Sequence, residues 1–560
     1  MIHKAQLPQK RAGVVLIAVL VVVTLLLLAA YQYVDMMSAE YKAANTIVRA
    51  GQARAAAASG VYYTAAMLAD KNTYTGTLGS NPYDNASIFQ GISLGDANTA
   101  RLQAKFSVVA PLGIDESPSD SSSFRYGVTD ESGKINPNAL MQVDPTGKVL
   151  HDALMKLPNM TEDVADAICD WIDPDDEPRA NGAENDYYMG LSPGYRCKNG
   201  PLDSLEELLL VRGVTPDLLF GTDRNRNGAP DPGEGDDGSG TPGDRGWSAY
   251  LTVYTRERNV DSDGNPRINI NDTDTTTLYQ NLTQALGDTT LADFVMAYRM
   301  LGQYTPAPPA APSSNSTGSA GGNNNNNRGP QIPTIVTNSP TPITSKDFNM
   351  SGSAKQSVPS LYALINAKVA ITKPGGIMQT VTTTRGGRGG GSITNRSTTV
   401  MPTMVTVYNS PLADQAKLAQ LLPILLDKCT TQKATEIPAR LNVNTAPLAA
   451  LEAMPGLTDT DIEAIQGVRP PPGSSDWSDP TYQTPAWLIT QAKLSPTKLQ
   501  ALDRYLTTQT EVYRMQVLGY FAEGLPMARV EAVVDTNGGQ PRIVYWRDIS
   551  QLGKGFDIQR

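Results

Sequence analysis

Twelve residues, Asp223 to Glu234 (DRNRNGAPDPGE), carry oxygen atoms at the spacing of a twelve-residue calcium loop. Asp223, Asn225 and Asn227 supply side-chain oxygens at positions 1, 3 and 5, and Gly228 permits the sharp turn at position 6. The Ala229 carbonyl points inward at position 7, Asp231 fills position 9, and Glu234 can bind bidentately at position 12. Calcium needs six to eight hard oxygens around it, which makes this spacing informative. Pro230 and Pro232 argue against a helix leaving the loop, while Arg224 and Arg226 lower its negative potential. A solvated acidic turn is the competing reading. The expectation is a Ca2+ site with the affinity of an extracellular structural module.

Other residues with chemical potential are read more blandly. Asp261-Ser-Asp-Gly-Asn265 lacks the terminal glutamate of a calcium loop and reads as a hairpin turn. Asp170–Pro178 (DWIDPDDEP) and Asn181–Tyr188 (NGAENDYY) are acidic and could suggest a glycosidase pair. Adjacent carboxylates in a proline-rich turn do not face each other across a sugar, so turn capping or a further cation is the better reading. His3 and His151 are the only histidines, which leaves little for Ser-His or Cys-His catalysis, and no enzyme is expected. Of the three cysteines, Cys169 and Cys197 form the candidate disulfide in an oxidising compartment, with Cys429 left over. There is no CxxC, so zinc ribbons and thioredoxin-type motifs are excluded.

The elements that must position these residues begin with a helix. A basic leader with Lys4, Lys10 and Arg11 ends at Ala12-Gly13, and the uncharged run Val14 to Ala30 follows. At ~1.5 Å per residue this run covers about 26 Å, the width of a bilayer's hydrocarbon core. A cleaved secretory signal places its small residue after the apolar stretch, whereas here Gly13 precedes it. Cutting at Gly13-Val14 would leave the apolar helix as the mature N-terminus, which looks like a type IV prepilin leader; an uncleaved signal anchor is the alternative. Both place the basic end in the cytoplasm and the rest outside. Beyond Ala30 the chain stays proline-free and alanine-rich to Lys71, predicting one helix over 14–71. Net charge of −10 speaks against nucleic acid as a partner, because phosphate binding needs a cationic face.

Strands are predicted at 104–109, 124–129, 512–520, 528–534 and 542–546, with Thr536-Asn-Gly-Gly539 as a hairpin turn. Helices are predicted over 149–157, 162–171 and 205–211, and again through 412–507. Residues 221–305 read as acidic loop and strands. Residues 306–411 read as a low-complexity, flexible insertion with short strands, including Asn323–Asn327 and Arg385–Ser392. An N-x-N turn entering a helix recurs at Ile135–Asn138 and Leu441–Asn444, and Ile268–Asn271 shows the turn without a clear helix after it. Leu157–Thr161 and Met454–Thr458 add a helix-hairpin-helix-like signature. Its flanks are acidic (Glu162, Asp163, Asp459, Asp461), so scaffolding is favoured over DNA binding.

Asp130–Asn138 (DESGKINPN), Asp170–Pro178, Gly182–Tyr188 (GAENDYY), Pro201–Gly213 (PLDSLEELLLVRG), Leu441–Pro447 (LNVNTAP) and the ending Val530–Asp548 together resemble the general secretion pathway protein K family, the large minor pseudopilins of type II secretion. The resemblance implies an α+β fold: a long N-terminal transmembrane helix on an antiparallel pilin-like sheet, with a large inserted helical domain. The segments would be 1–13 leader, 14–71 helix (14–30 in the membrane), 72–139 and 508–560 pilin-like core, and 140–220 and 412–507 inserted domain. It implies cleavage by prepilin peptidase, methylation of the new N-terminus, and a place in the bacterial inner membrane with the bulk of the chain periplasmic. It also implies assembly with I-type and J-type minor pseudopilins and the inner-membrane platform at the tip of a filament that exports protein. Most pilins carry Glu at mature position 5; the K component lacks it, and that position here is Ala18. A minor pilin of a type IV pilus and an anchored DNA-binding receptor are the alternatives.

Overall fold

In the computed structural model, residues 12–95, 103–116, 123–229, 231, 234, 244–306, 334–350, 352–374, 379–385, 394–400, 403–471, 474, 476, 479–521 and 527–558 are described. A single helix, α1, runs from Ala12 to Ala69 over 58 residues, about 87 Å at ~1.5 Å per residue. No proline interrupts it. Every large apolar side chain from Val14 to Val48 is exposed. The last turns are different: Ala53, Ala57, Val61, Ala65 and Leu68 are buried against a sheet. Small residues on this face let the helix axis come close, and position 519 shows how close. A Cβ added at Gly519 would lie 2.0 Å from the Ala53 carbonyl oxygen.

The sheet is antiparallel, with strands β1 (Ala104–Pro111), β2 (Val512–Phe521), β3 (Ala528–Asp535) and β4 (Arg542–Asp548) in that spatial order. Val517 faces Val108 on one side and Val530 on the other. A bulge between Val533 and Val534 shifts the register of β4. Residues 400 apart in sequence thus pair side by side, because the chain leaves the sheet after β1 and returns only at β2. The expected strand over 124–129 is instead two short pairings, Phe124–Arg125 on β1 and Thr129–Asp130 on β2. Between them the backbone turns to other partners. The Tyr126 carbonyl accepts from the Asn85 amide (2.7 Å), and the Val128 amide donates to the Pro82 carbonyl (3.1 Å).

The inserted body has one apolar core running from Ile135 to Leu506. Helices α2 (Lys148–Leu154) and α3 (Glu162–Ile172) match the expected positions within a few residues. Leu205–Leu210 is a 3-10 helix where an α-helix was expected. In that geometry residues three apart eclipse, which turns Leu205 and Leu208 together into the core. The stretch 221–305 holds the short strands Glu257–Arg258 and Ile268–Asn269 but also two helices the sequence reading lacks, α4 (Thr275–Leu286) and α5 (Thr289–Leu301). Asp274 and Asp288 cap them, each accepting two backbone amides. Helix α5 is buried from Leu291 to Met300, so it shows no amphipathic stripe to read.

Within 306–411, Thr334–Asn338, Lys368–Pro374 and Thr403–Asn409 form a three-stranded sheet, and 379–385 pairs with 394–400. Asn323–Asn327 and all of the Arg385–Ser392 tract but Arg385 lie outside the described residues. In 412–507 the main helices are α6 (Gln415–Lys428), α7 (Leu448–Glu452) and α8 (Asp459–Gln466).

The N-x-N turn occurs three times with one geometry. The first asparagine's Oδ1 accepts the second's amide at Asn136/Asn138 (3.0 Å), Asn269/Asn271 (2.9 Å) and Asn442/Asn444 (3.0 Å). The second asparagine's Nδ2 then donates at 2.9 Å to a distant carbonyl, of Leu202, Val358 and Tyr482 respectively. The first two carbonyls lie three residues before the short helices 205–210 and 361–364, and the third lies within the 3-10 turn Pro480–Gln483. The third copy, at Ile268–Asn271, therefore does lead into a helix, α4. The three-residue spacer Asp272-Thr-Asp274 hides it in the sequence.

Candidate calcium centres and the exposed helix

Two loops gather carboxylates. In the first, the expected ligands converge: Asp223, Asn227 and Glu234 are buried. Asp223 accepts the amides of Asn227 (3.1 Å) and Gly228 (2.7 Å), and Gly228 sits at φ +69°, the left-handed conformation that position 6 demands. Asn225 and Asn227 each accept the amide two residues on, at 3.0 and 2.7 Å, the latter that of Ala229. Both also donate Nδ2 to one oxygen of Asp231, at 2.5 and 2.7 Å. Glu234 accepts the amides of Arg224 (3.1 Å) and Asp231 (3.3 Å), closing the ring. Burial pushes the Asp223 and Glu234 carboxyls up, and for Glu234 the charges of Asp223 and Asp231 add to it. The loop thus has the shape of a cation site, with most of its acceptors already engaged by its own N–H groups.

This loop is also a joint. The fully buried Arg529 of β3 donates to the carbonyls of Asn225 (2.7 Å) and Arg226 (2.9 Å), and Gln516 of β2 donates to Arg226 (2.8 Å). Arg226 pairs with Glu531 at 3.0 Å. No local pattern marks Arg529, which becomes legible only once β3 is placed beneath the loop.

In the second loop, Asp173, Asp175 and Glu184 each bring a carboxylate oxygen within 4.8 Å of the other two. Three oxygens so placed lie within about 2.8 Å of a common point, close to a calcium–oxygen distance of ~2.3–2.6 Å. Among the described residues this is where three carboxylates meet so tightly. Asp173 Oδ1, both oxygens of Glu184 and Asn199 Oδ1 are buried without a hydrogen-bond donor. Asn199 is held beside the cluster by its Nδ2, which reaches Asp176 at 3.0 Å. Buried acceptors are normally satisfied, and acceptors facing one another without donors suit a hard cation. Burial raises the Glu184 carboxyl to about 7, and burial with the neighbouring Asp175 and Asp170 charges raises Asp173 to about 6. The residues therefore fit calcium. It would supply only charge and coordination, pinning Asp173 and Asp175, which follow α3, to Glu184 at the start of the next short helix.

The remaining candidates resolve plainly. In the turn 261–265, the Lys428 ammonium lies 2.9 Å from Asp261 and 2.7 Å from Asp263, with Lys71 on Asp263 at 2.8 Å. Two lysines hold the place of an ion, and Val260 bridges Pro266 as a hairpin does. Cys169 and Cys197 are separate thiols, correcting the expected disulfide. The first points at the Gly147 carbonyl (3.8 Å) and the second at the Asp170 carbonyl (3.7 Å), and burial pushes both up to about 12. His151 sits among Glu162 (3.0 Å), Asp166 (3.5 Å) and Asp152 (3.6 Å), with no nucleophile beside it among the described residues. At α8 the Thr458 amide donates to Asp461 Oδ2 (2.8 Å) in a capping box, which places a carboxylate where a phosphate would approach the hairpin.

The motif Asp130–Asn138 links sheet to insert. Glu131 is fully buried, 2.7 Å from Arg514 and 3.0 Å from Lys134, and Arg514 continues to Glu531 at 3.1 Å. Asp130 accepts from Ser132, Asn442, Thr445 and Thr510 within 2.8 Å. Burial still raises it to about 6.

At the other end of the molecule, α1 is the one helix among the described residues long and apolar enough to cross a membrane. Gly13 and Val14 lie in its first turn and are exposed, and residues 1–11 lie outside the described residues.

Comparison with known proteins centres on the same segment. The family described as type II secretion system (T2SS), protein K, matches residues 133–220. The chain is 48% identical over 48 residues to the type II secretion system protein K of Klebsiella pneumoniae, covering 9% of this chain and 15% of that one. It is 36% identical over 89 residues to that of Pectobacterium carotovorum subsp. carotovorum (15% and 27%), and 30% identical over 101 residues to that of Pseudomonas aeruginosa (17% and 30%). These matches thus span less than a third of the length of the curated relatives. A solved structure, the GspK-GspI-GspJ complex from the enterotoxigenic Escherichia coli type 2 secretion system, aligns with 92% of this chain and 99% of its own at 10% identity and a TM-score of 0.34. The segment that forms α2, α3 and the acidic loop up to Phe220 is thus the part of this chain that is similar to the type II secretion system protein K family.

Proposed function

We propose that this chain is a minor pseudopilin that sits at the tip of a type II secretion pseudopilus and primes its assembly with I-type and J-type partners. The observation that carries the reading is the division of α1. Its C-terminal turns are buried on the sheet, while everything from Val14 to Val48 projects with its apolar side chains uncovered. Val14 to Ala30 is long enough for a bilayer, but Tyr31 to Val48 extends another ~27 Å beyond it. Exposed tyrosines, methionines and valines on a helix outside both lipid and its own fold call for the helices of other subunits. Ala18 in place of a carboxylate removes the group that would neutralise a neighbour's terminal amine, which suits a subunit with no subunit above it.

The acidic loops serve as structural calcium sites in this reading, and no catalytic step is assigned. The peptidase processes the chain between Gly13 and Val14, and the body lies on the periplasmic side of the inner membrane. The test is direct. The chain recovered from membranes of the secreting cell should begin at Val14 by N-terminal sequencing and should co-purify with I-type and J-type pseudopilins. An intact leader on the membrane-bound protein, or co-purification with neither partner, would overturn the proposal.

A further inference from the structure

Between the sheet and the inserted body lies a cavity of about 590 Å³, walled by β1, β2 and β3 on one side and by segments 205–254 and 444–471 on the other. This volume is in the range that holds a small molecule or a few residues of peptide. Its wall carries six cations and six carboxylates, and the two sets are not equally satisfied. Each wall acid is engaged. Glu116 pairs with Arg125 at 3.0 Å, Glu531 with Arg226 and Arg514, and Glu206 with Arg547 at 3.1 Å. Asp115 accepts the Leu448 amide (2.5 Å), Asp223 accepts its loop amides, and Asp130 has its four donors.

The arginines fall short. Arg245 has no carboxylate within 4.0 Å among the described residues, and its Nε, like that of Arg125, is buried without an acceptor. Burial accordingly lowers the Arg245 pKa. Arg469 directs one nitrogen to the carbonyls of Val443 (3.4 Å) and Ala446 (2.6 Å) and pairs with no carboxylate among the described residues. A guanidinium has five donors and no acceptor, so what the wall lacks is an acceptor carrying negative charge. Pro111, Ile114, Phe220 and Pro447 give the same wall apolar surface.

We infer that this cavity binds a carboxylate attached to an apolar body, with Arg245 and Arg469 receiving the carboxylate and the Ile114–Phe220 wall receiving the rest. Two sources share that chemistry, the C-terminus of an apolar peptide and a free medium-chain fatty acid. The planar fork of arginine distinguishes a carboxylate from its amide by charge and by both oxygens.

The experiment is calorimetric titration of the detergent-solubilised full chain with an N-acetylated apolar tripeptide acid, with the same tripeptide as its C-terminal amide, and with octanoate. One acid should bind at one per chain at least about tenfold more tightly than the amide, a difference expected for a charge-assisted pair. Tighter binding of the tripeptide acid identifies a peptide end as the source, and tighter binding of octanoate identifies a fatty acid. Arg245→Gln should weaken the bound acid about tenfold with an unchanged thermal melt. Equal binding of acid and amide, binding of neither acid at millimolar concentration, or Arg245→Gln with intact melt and intact binding would each overturn the inference. If the variant does not fold, the comparison of acid with amide on the unaltered chain decides alone.

Discussion

Without a bound cation this protein's stability should depend on pH between 5 and 7.5, and Glu184 is the reason. Its carboxyl is 4% exposed, has no donor to either oxygen, and is raised from 4.5 to about 7. An acid raised in the folded state stabilises that state while protonated, below its unfolded value of 4.5, and the contribution is lost as pH rises through about 7. At ~1.4 kcal/mol per unit, ionising Glu184 in the metal-free fold costs on the order of 3 kcal/mol. Asp173, raised to about 6, loses its share over the lower part of the same window. Because the two share a site, their protons leave as a pair and the losses do not simply add. Calcium reverses this by binding the ionised forms, and at a hundred times its Kd it stabilises by about 2.7 kcal/mol. The assay is urea unfolding of the detergent-solubilised chain followed by tryptophan fluorescence; Trp171 in α3 stacks edge-on against Tyr188 at 5.1 Å, close to the cluster. In EDTA the unfolding free energy should fall by roughly 3 kcal/mol from pH 5 to 7.5, and millimolar calcium should restore it at pH 7.5 far more than at pH 5. Glu184→Gln should flatten the EDTA profile and abolish most of the calcium increment. A flat profile for the unaltered chain in EDTA, or an equal calcium increment in the variant, would refute the reasoning.

Asp223→Ala combined with Glu234→Ala should remove the part of any calcium-dependent thermal shift that Glu184→Gln leaves behind; an unchanged shift would assign no ion to the loop 223–234. Gly519→Ala places a methyl 2.0 Å from the Ala53 carbonyl and should destabilise the sheet–helix contact by about 1–3 kcal/mol, read as lower thermal stability and faster proteolysis within α1. Glu131→Gln leaves Arg514 and Lys134 without their shared buried partner and should cost about 3–5 kcal/mol in urea unfolding, whereas Lys148→Gln, at an exposed pair with Asp152, should leave the unfolding midpoint unchanged. Cys169 and Cys197 should both remain unreactive to a maleimide in the native chain and both react in urea without reductant; a single reactive cysteine in urea would indicate a bridge.

Local pattern determined the parts of this protein whose physics is local. Seventeen uncharged residues after a basic leader favour an apolar helix, and β-branched and aromatic runs in 512–546 around the Thr536–Gly539 turn favour strands. The tight turn in 223–234 was equally legible, since its side chains bond amides within the same twelve residues. Tertiary structure decided what depends on distant partners. Helix α5, buried on all sides, has no polar face to mark its period, and α4 hides behind a capping aspartate that reads as a turn. Cys169 and Cys197 looked like a pair by count, but their side chains aim at different carbonyls. The tightest carboxylate site needs Asp173, Asp175, Glu184 and Asn199, and nothing in the chain says that Asn199 folds back onto Asp176. Arg529, which binds the 223–234 loop, lies about three hundred residues away in sequence, and Arg245 and Arg469 reach one cavity from segments about two hundred residues apart. Sequence sets which groups exist and how their own turn is shaped; whether a buried carboxylate or arginine has found its partner is decided only when separate segments are pressed together away from water.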